Sequence, residues 1–399
     1  MRGSKGWDSP GKRCACCSPA LHCRGSRLHG RAPILDFDTI EKIIGRPTYL
    51  RAKAKSKIAF WEGRHDEVIE SYINDHIELH EKLGFDIINF PMATWAIPAP
   101  SDDPPPRKID ETTWEDHEGR VFKYSDITHD VVCIKDPLAD KTLYTMDHEL
   151  LAGVDEVETA PLPDEPPGLD PRSWTILDTV IEHFAGRRFI VGPSGGEIGI
   201  VLQGGMEQGM VALITKRDFI EKATRYLVEK QNKLDKKMIH PKSDAIIWGA
   251  DFAYNSGGFI SPQMFRDLFF EANRARVDNV KKAHGKFVVK HCCGNVNQFL
   301  DLFVELGYDC YQSIQQSAGM DLREVKERVG NDLVLWGGVP VELIIGGTMD
   351  EVRQEVRSAM ANAKEHGRFI LGTTHTIAVG ANYDNFMAMV DEYHQCCDY

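Results

Sequence analysis

The sequence predicts an α/β fold, a single (β/α)8 TIM barrel, from three observations. From Trp174 onward, short apolar runs alternate with longer stretches of helical periodicity, the pattern of a parallel sheet built from strand–helix units. Seven apolar runs are readable along the chain, and eight such units close a barrel. The ends of these runs are rich in His, Cys, Asp, Glu and Gln, and the C-terminal ends of barrel strands are where active sites lie. A chain of 399 residues with 42% apolar content can fill one large core of this kind.

The elements follow in order. Residues 1–32 carry seven Lys or Arg against one acid, with Cys14, Cys16, Cys17 and Cys23 and no apolar periodicity. They are expected to form a disordered basic extension that contributes nothing to the core. One barrel domain is expected over 33–399, with a β-meander and Pro-rich loops inserted at about 97–172. Val68, Ile69, Tyr72, Ile73 and Ile77 recur at helical spacing and predict a helix over 65–83. A short strand at 86–90 is closed by Pro91. Residues 113–145 read as the meander, and an eighth barrel strand is sought there. Further strands are expected at 188–191, 245–248, 287–290, 308–312, 333–336 and 369–371. Helix starts are signalled by Thr215 with Asp218, by Ser261-Pro262, and by Thr348 with Glu351.

Charge excludes some functions. Sixty acids against 47 bases give a net charge of −13, a poor match to nucleic acid or anionic membranes. No run of eighteen apolar residues is present, so a cytoplasmic chain without a membrane span is expected. In a chain of this length without a secretory signal, the ten cysteines are expected to be reduced, buried or metal-bound.

The chemistry collects at 286–295, Lys-Phe-Val-Val-Lys-His-Cys-Cys-Gly-Asn. Side chains two apart share a strand face, so Phe287, Val289, His291 and Cys293 lie together. Either this is half of a zinc site, or it is a buried strand that ends in polar residues. His375 follows the 369–371 strand at the same end of the expected barrel. It is either a third donor, completing a three-ligand site with one open position, or a lone hydrogen-bonded histidine. Glu197 and Asp251 follow two other strands and are candidate acids or bases. Gln312 ends the 308–312 strand. Trp95, Phe252, Tyr254, Tyr311 and Trp336 either wall a pocket or belong to the core. The Gly-rich run 192–199 reads as a tight turn in preference to a phosphate cradle.

His291-Cys-Cys293-Gly-Asn295, Gly319-Met320-Asp321, Trp336-Gly337-Gly338, Phe369-Ile-Leu-Gly-Thr-Thr-His375 and Asn385-Phe-Met-Ala-Met-Val resemble, in that order, the uroporphyrinogen decarboxylase superfamily. The likeness is greatest to its corrinoid-linked zinc methyltransferase branch. It is strongest over about 245–391, where Gly249-Ala-Asp251 and Gly257-Gly258-Phe-Ile-Ser261-Pro262 also fit. The resemblance implies a (β/α)8 barrel, zinc on His291, Cys293 and His375, and methyl transfer between a small methylated compound and a corrinoid protein. The branch has a cysteine where this chain has His375, which changes the donor set. Asp251 and Glu197 are then expected as catalytic groups, and Trp95, Tyr254, Asn295, Tyr311, Gln312 and Trp336 as substrate-binding ones. The decarboxylase branch carries an Arg-Gln-Ala-Gly-Arg segment for porphyrin carboxylates, which this sequence lacks. Its first-strand carboxylate falls near Pro91, with Asp86 as the other alignment. Uroporphyrinogen decarboxylation is therefore the second reading. A homodimer is compatible with both.

Overall fold

The computed structural model describes residues 29–31, 34–99, 101–137, 168–202 and 205–396. Eight parallel strands form its central sheet: β1 (His29–Arg31), β2 (Ile87–Asn89), β7 (Phe189–Gly192), β8 (Ala245–Trp248), β11 (Phe287–His291), β12 (Cys310–Ser313), β13 (Val334–Val339) and β14 (Phe369–Thr373). From β2 to β14 each strand pairs with the next in chain order, and β1 then pairs with β14. Among the described residues β1 and β2 are not paired, so the ring stops one ladder short of closure.

The strands read as continuous apolar runs because both faces are buried. Ile87, Val191, Ala245, Val289, Cys310, Val334, Trp336 and Ile370 make one cluster on the inner face. Their neighbours Ile88, Ile190, Ile246, Val288, Tyr311 and Leu335 belong to the larger core under the helices. The one-residue alternation of a strand separates the two layers.

The eighth strand is not in the meander. It is β1, inside the stretch expected to be a disordered extension, and its ladder runs His29 to Phe369, Gly30 to Ile370 and Arg31 to Leu371. The ordered fold thus begins before residue 33; residues 1–28, with the four early cysteines, lie outside the described residues. The expected meander is a separate antiparallel sheet of β3 (Arg107–Lys108), β4 (Thr113–Glu115), β5 (Val121–Ser125) and β6 (Asp130–Lys135). Trp114 and Val131 seat it on Ala54, with Ile58 and Trp61 packed alongside. The expected continuation of the meander past 137, and the second Pro-rich stretch up to 167, lie outside the described residues.

The helix His65–Leu83 ends at Gly84, whose φ of 62° is the left-handed conformation that a C-terminal cap favours. Ser261 caps its helix by accepting from Met264 N at 3.1 Å, and Thr348 with Glu351 forms a reciprocal capping box. Thr215 caps nothing: its hydroxyl donates back to Val211 O at 3.0 Å, one turn earlier in the preceding helix.

On the helix His65–Leu83, His76 and His80 stack at 5.3 Å, both buried. Burial holds the His76 pKa well below the ordinary imidazole value and lowers that of His80 to about 4. Below pH 6.5 the unfolded chain takes up protons that the folded chain refuses, so acid favours unfolding. Stability is full above about 6.5 and declines as pH falls from there toward 4. At pH 5 the His80 shift alone costs about 2 kcal/mol, and His76 adds to it in the same direction. Denaturant midpoints measured between pH 7.5 and 5 should fall, and His76→Leu should flatten the decline; an unchanged slope would refute this account.

Candidate metal centre

β11 delivers the first two donors. His291 is its last residue, and the chain turns at Gly294, so Cys293 stays on the same side. Gly294 has φ 80°, and a Cβ there would meet Tyr254 O at 2.6 Å, so only glycine fits. Tyr254 O accepts the Asn295 amide at 2.9 Å, and Gln315 Oε1 accepts that of Gly294 at 2.9 Å. The turn is thereby pinned between the loops that follow β8 and β12.

His291 Nε2 lies 3.2 Å from Cys293 Sγ. His375, two residues past β14, sets its ring edge-on to His291 at 6.1 Å between centroids. One donor atom from each of His291, Cys293 and His375 falls within 4.8 Å of the others. Among the described residues this is the group of three or more His, Cys, Asp or Glu so arranged. Zinc with bonds of about 2.3 Å to sulfur and about 2.0 Å to nitrogen holds tetrahedral neighbours roughly 3.5 Å apart. The His291–Cys293 pair is already near that spacing, and the exposed His375 brings its donor within 4.8 Å of both. The donor set of two imidazoles and a thiol fits zinc.

Burial keeps His291 neutral by lowering its pKa, which leaves it fit to donate a lone pair. Burial and then the nearby Asp251 charge push the Cys293 thiol up to about 12, so the thiol is protonated at neutral pH without a cation. Asp251 is exposed, and its Oδ1 accepts the Cys293 amide at 2.8 Å. It thus stands beside the cluster.

Glu197 does not stand there. Its Oε1 accepts from Lys290 Nζ at 2.7 Å and from Ala250 N at 2.6 Å, and its Oε2 accepts from Tyr308 at 3.1 Å. Lys290 precedes His291 on β11 and so faces the helix layer, over the rings of Phe252 and Phe303. Its buried ammonium claims the carboxylate that sequence position alone suggested for acid–base work. A lysine inside an apolar strand was the signal for such a partner.

The expected substrate-binding residues divide. His291, Gln312, Trp336 and Ile370 form one row across four strands, so Gln312 and Trp336 flank the cluster's base. Tyr254 is 50% exposed, with its ring against Phe259. Asn295 turns its Oδ1 to the Asn297 amide at 3.2 Å, which opens the next helical segment. Tyr311 lies on the other face of β12 from Gln312, fully buried, its hydroxyl donating to Cys292 O at 3.2 Å. It is core and not a pocket wall. Trp95 is likewise buried, packed on Trp174 at 5.5 Å.

The Gly-rich run 192–199 is a turn. Asp235 Oδ1 accepts the Gly195 amide at 2.8 Å, and the buried Arg276 donates to Gly196 O. A carboxylate already fills the place an anion would take.

Residues 204–396 match the family model described as uroporphyrinogen decarboxylase (URO-D). No curated protein matches. Among solved structures, the chain is similar to a methyltransferase from Methanosarcina mazei, at 16% identity and a TM-score of 0.56, over 92% of this chain and 100% of that one. A xylose isomerase-like TIM barrel protein from Mycobacterium smegmatis aligns at 13% identity and a TM-score of 0.30, over 65% of this chain and 92% of that one.

Proposed function

Since residues 204–396 belong to the uroporphyrinogen decarboxylase superfamily, we propose that the chain is a zinc-dependent methyltransferase on a (β/α)8 barrel. It moves a methyl group between a small methylated compound, of methoxy, methylamine or methylthiol type, and a corrinoid carried on a separate protein. The observation that carries this reading is the convergence of His291, Cys293 and His375 at strand ends. The methyltransferase among the similar structures agrees with it.

Zinc held by these three residues would polarise the substrate heteroatom and stabilise charge gathered there as the methyl group departs. Two imidazoles and one thiolate leave the centre more electron-poor than one imidazole and two thiolates, which favours an ether or amine oxygen or nitrogen. Asp251, whose carboxylate accepts the Cys293 amide, would orient the substrate or exchange a proton with its heteroatom. Trp336 and Gln312 close the floor beneath the cluster.

Two assays test the reading. Zinc-loaded protein given reduced cobalamin and a series of methoxy, methylamino and methylthio compounds should produce methylcobalamin from at least one class, followed by absorbance. Incubation with uroporphyrinogen should yield no coproporphyrinogen above a heat-killed control. The opposite pair of results would install the decarboxylase reading instead.

A further inference from the structure

The two residues that end β12 reach the His291 ring and the backbone beside His375. Gln312 is the register partner of His291, and its Oε1 accepts from His291 Nδ1. Ser313 is completely buried, and its hydroxyl donates to Thr374 O at 2.8 Å, one residue before His375. Ser313 and Ile314 have φ of 133° and 56°, left-handed values that side-chain-bearing residues rarely adopt. The neighbouring strand makes room: Gly337 pairs with Ser313, and a Cβ on it would meet Ser313 O at 2.4 Å.

We propose that Gln312 and Ser313 are positioning residues that assemble the three-donor centre, Gln312 by fixing the His291 ring and Ser313 by tying the end of β12, on which β11 is paired, to the β14 tip. This rests on the zinc reading above and replaces the substrate-binding role expected of Gln312. An imidazole ligand offers one nitrogen to the ion, and the other must carry its proton toward an acceptor. With Nδ1–H given to Gln312, the free lone pair is on Nε2, the nitrogen beside Cys293 Sγ. Strained backbone at a strand end is retained where the surroundings over-determine it, and the Ser313 contacts supply that constraint.

The test is metal affinity, measured with zinc against a chromophoric chelator, together with the cobalt(II) spectrum of the reconstituted protein. Gln312→Ala and Ser313→Ala should each weaken zinc binding by about 10–100-fold, with far-UV circular dichroism and melting temperature close to wild type. Gln312→Glu should restore affinity, because a carboxylate accepts the same proton; a glutamine acting through its NH2 would not be replaced by it. The sulfur-to-cobalt charge-transfer band should persist in Gln312→Glu and weaken in both alanine variants. If Gln312→Ala does not fold, Gln312→Asn, too short to reach Nδ1, carries the same expectation. Wild-type affinity in a folded Gln312→Ala or Gln312→Asn overturns the inference and leaves the zinc reading standing. Failure of the wild-type protein to bind zinc overturns both.

Discussion

His375→Ala is expected to abolish methyl transfer and to lower zinc affinity by more than about 100-fold, while the protein should melt within about 2 °C of wild type. The argument starts from position. His291 and Cys293 come from one strand end and would give a metal two bonds, and His375, from the tip of β14, would give the third. Losing the third donor leaves a pair open to competition from water. The side chain is exposed, so its removal opens no cavity and strands no buried partner. His375→Cys should hold zinc, since a thiolate is an equally good donor, but with an altered order of preference among oxygen, nitrogen and sulfur substrates. Elemental analysis and the cobalamin assay read all three proteins. One tightly held zinc per chain in the alanine variant would send the search for a third donor to Asp251.

Lys290→Met is expected to be the most damaging single change to stability. Lys290 and Glu197 are paired at 2.7 Å with side-chain exposures of 0% and 3%. Methionine matches the lysine stem in volume and packs among Phe252 and Phe303, so the loss is one of charge. It leaves a buried carboxylate with no cation, a situation that costs about 3–5 kcal/mol. In a domain of this size the melting temperature should drop by roughly 4–7 °C. Lys290→Met with Glu197→Gln together should recover more than half of that loss, because replacing both members of a buried pair is often nearly neutral. A double variant no more stable than the single one would mean that the lysine acts through packing. Because β11 carries Lys290 on one face and His291 on the other, the single variant should also loosen the metal centre.

Much of the site was legible because its rules are local. The two-residue spacing of His291 and Cys293 follows from strand geometry, and polar strand ends point to one rim of a barrel. His375 entered through its strand end and through resemblance, since nothing near it in sequence names its partners. The same alternation could have refused one expectation, because Tyr311 and Gln312 are adjacent in a strand and cannot both face the interior. Glu197 was placed correctly after its strand, but its role depends on a lysine 93 residues away. No local signal marks β1, because His29-Gly30-Arg31 has no apolar residue and sits at the end of a basic, aperiodic stretch. What makes it a strand is the exposed edge of β14, which no local signal announces.

The pairing of β1 with β14 has a consequence for how the chain is made. His29 pairs with Phe369, so the partner of β1 is synthesised about 340 residues after it. At about 5–20 residues per second, the interval between them is on the order of 20–70 seconds. Throughout that time the rest of the sheet can form in order from β2 onward, each new strand finding the one before it already in place. The three residues of β1 meanwhile stay without their neighbour, and β1 docks only after β14 has been synthesised. A nascent chain stalled before residue 369 should therefore be cut by protease near residues 29–31, and a released full-length chain should resist that cut.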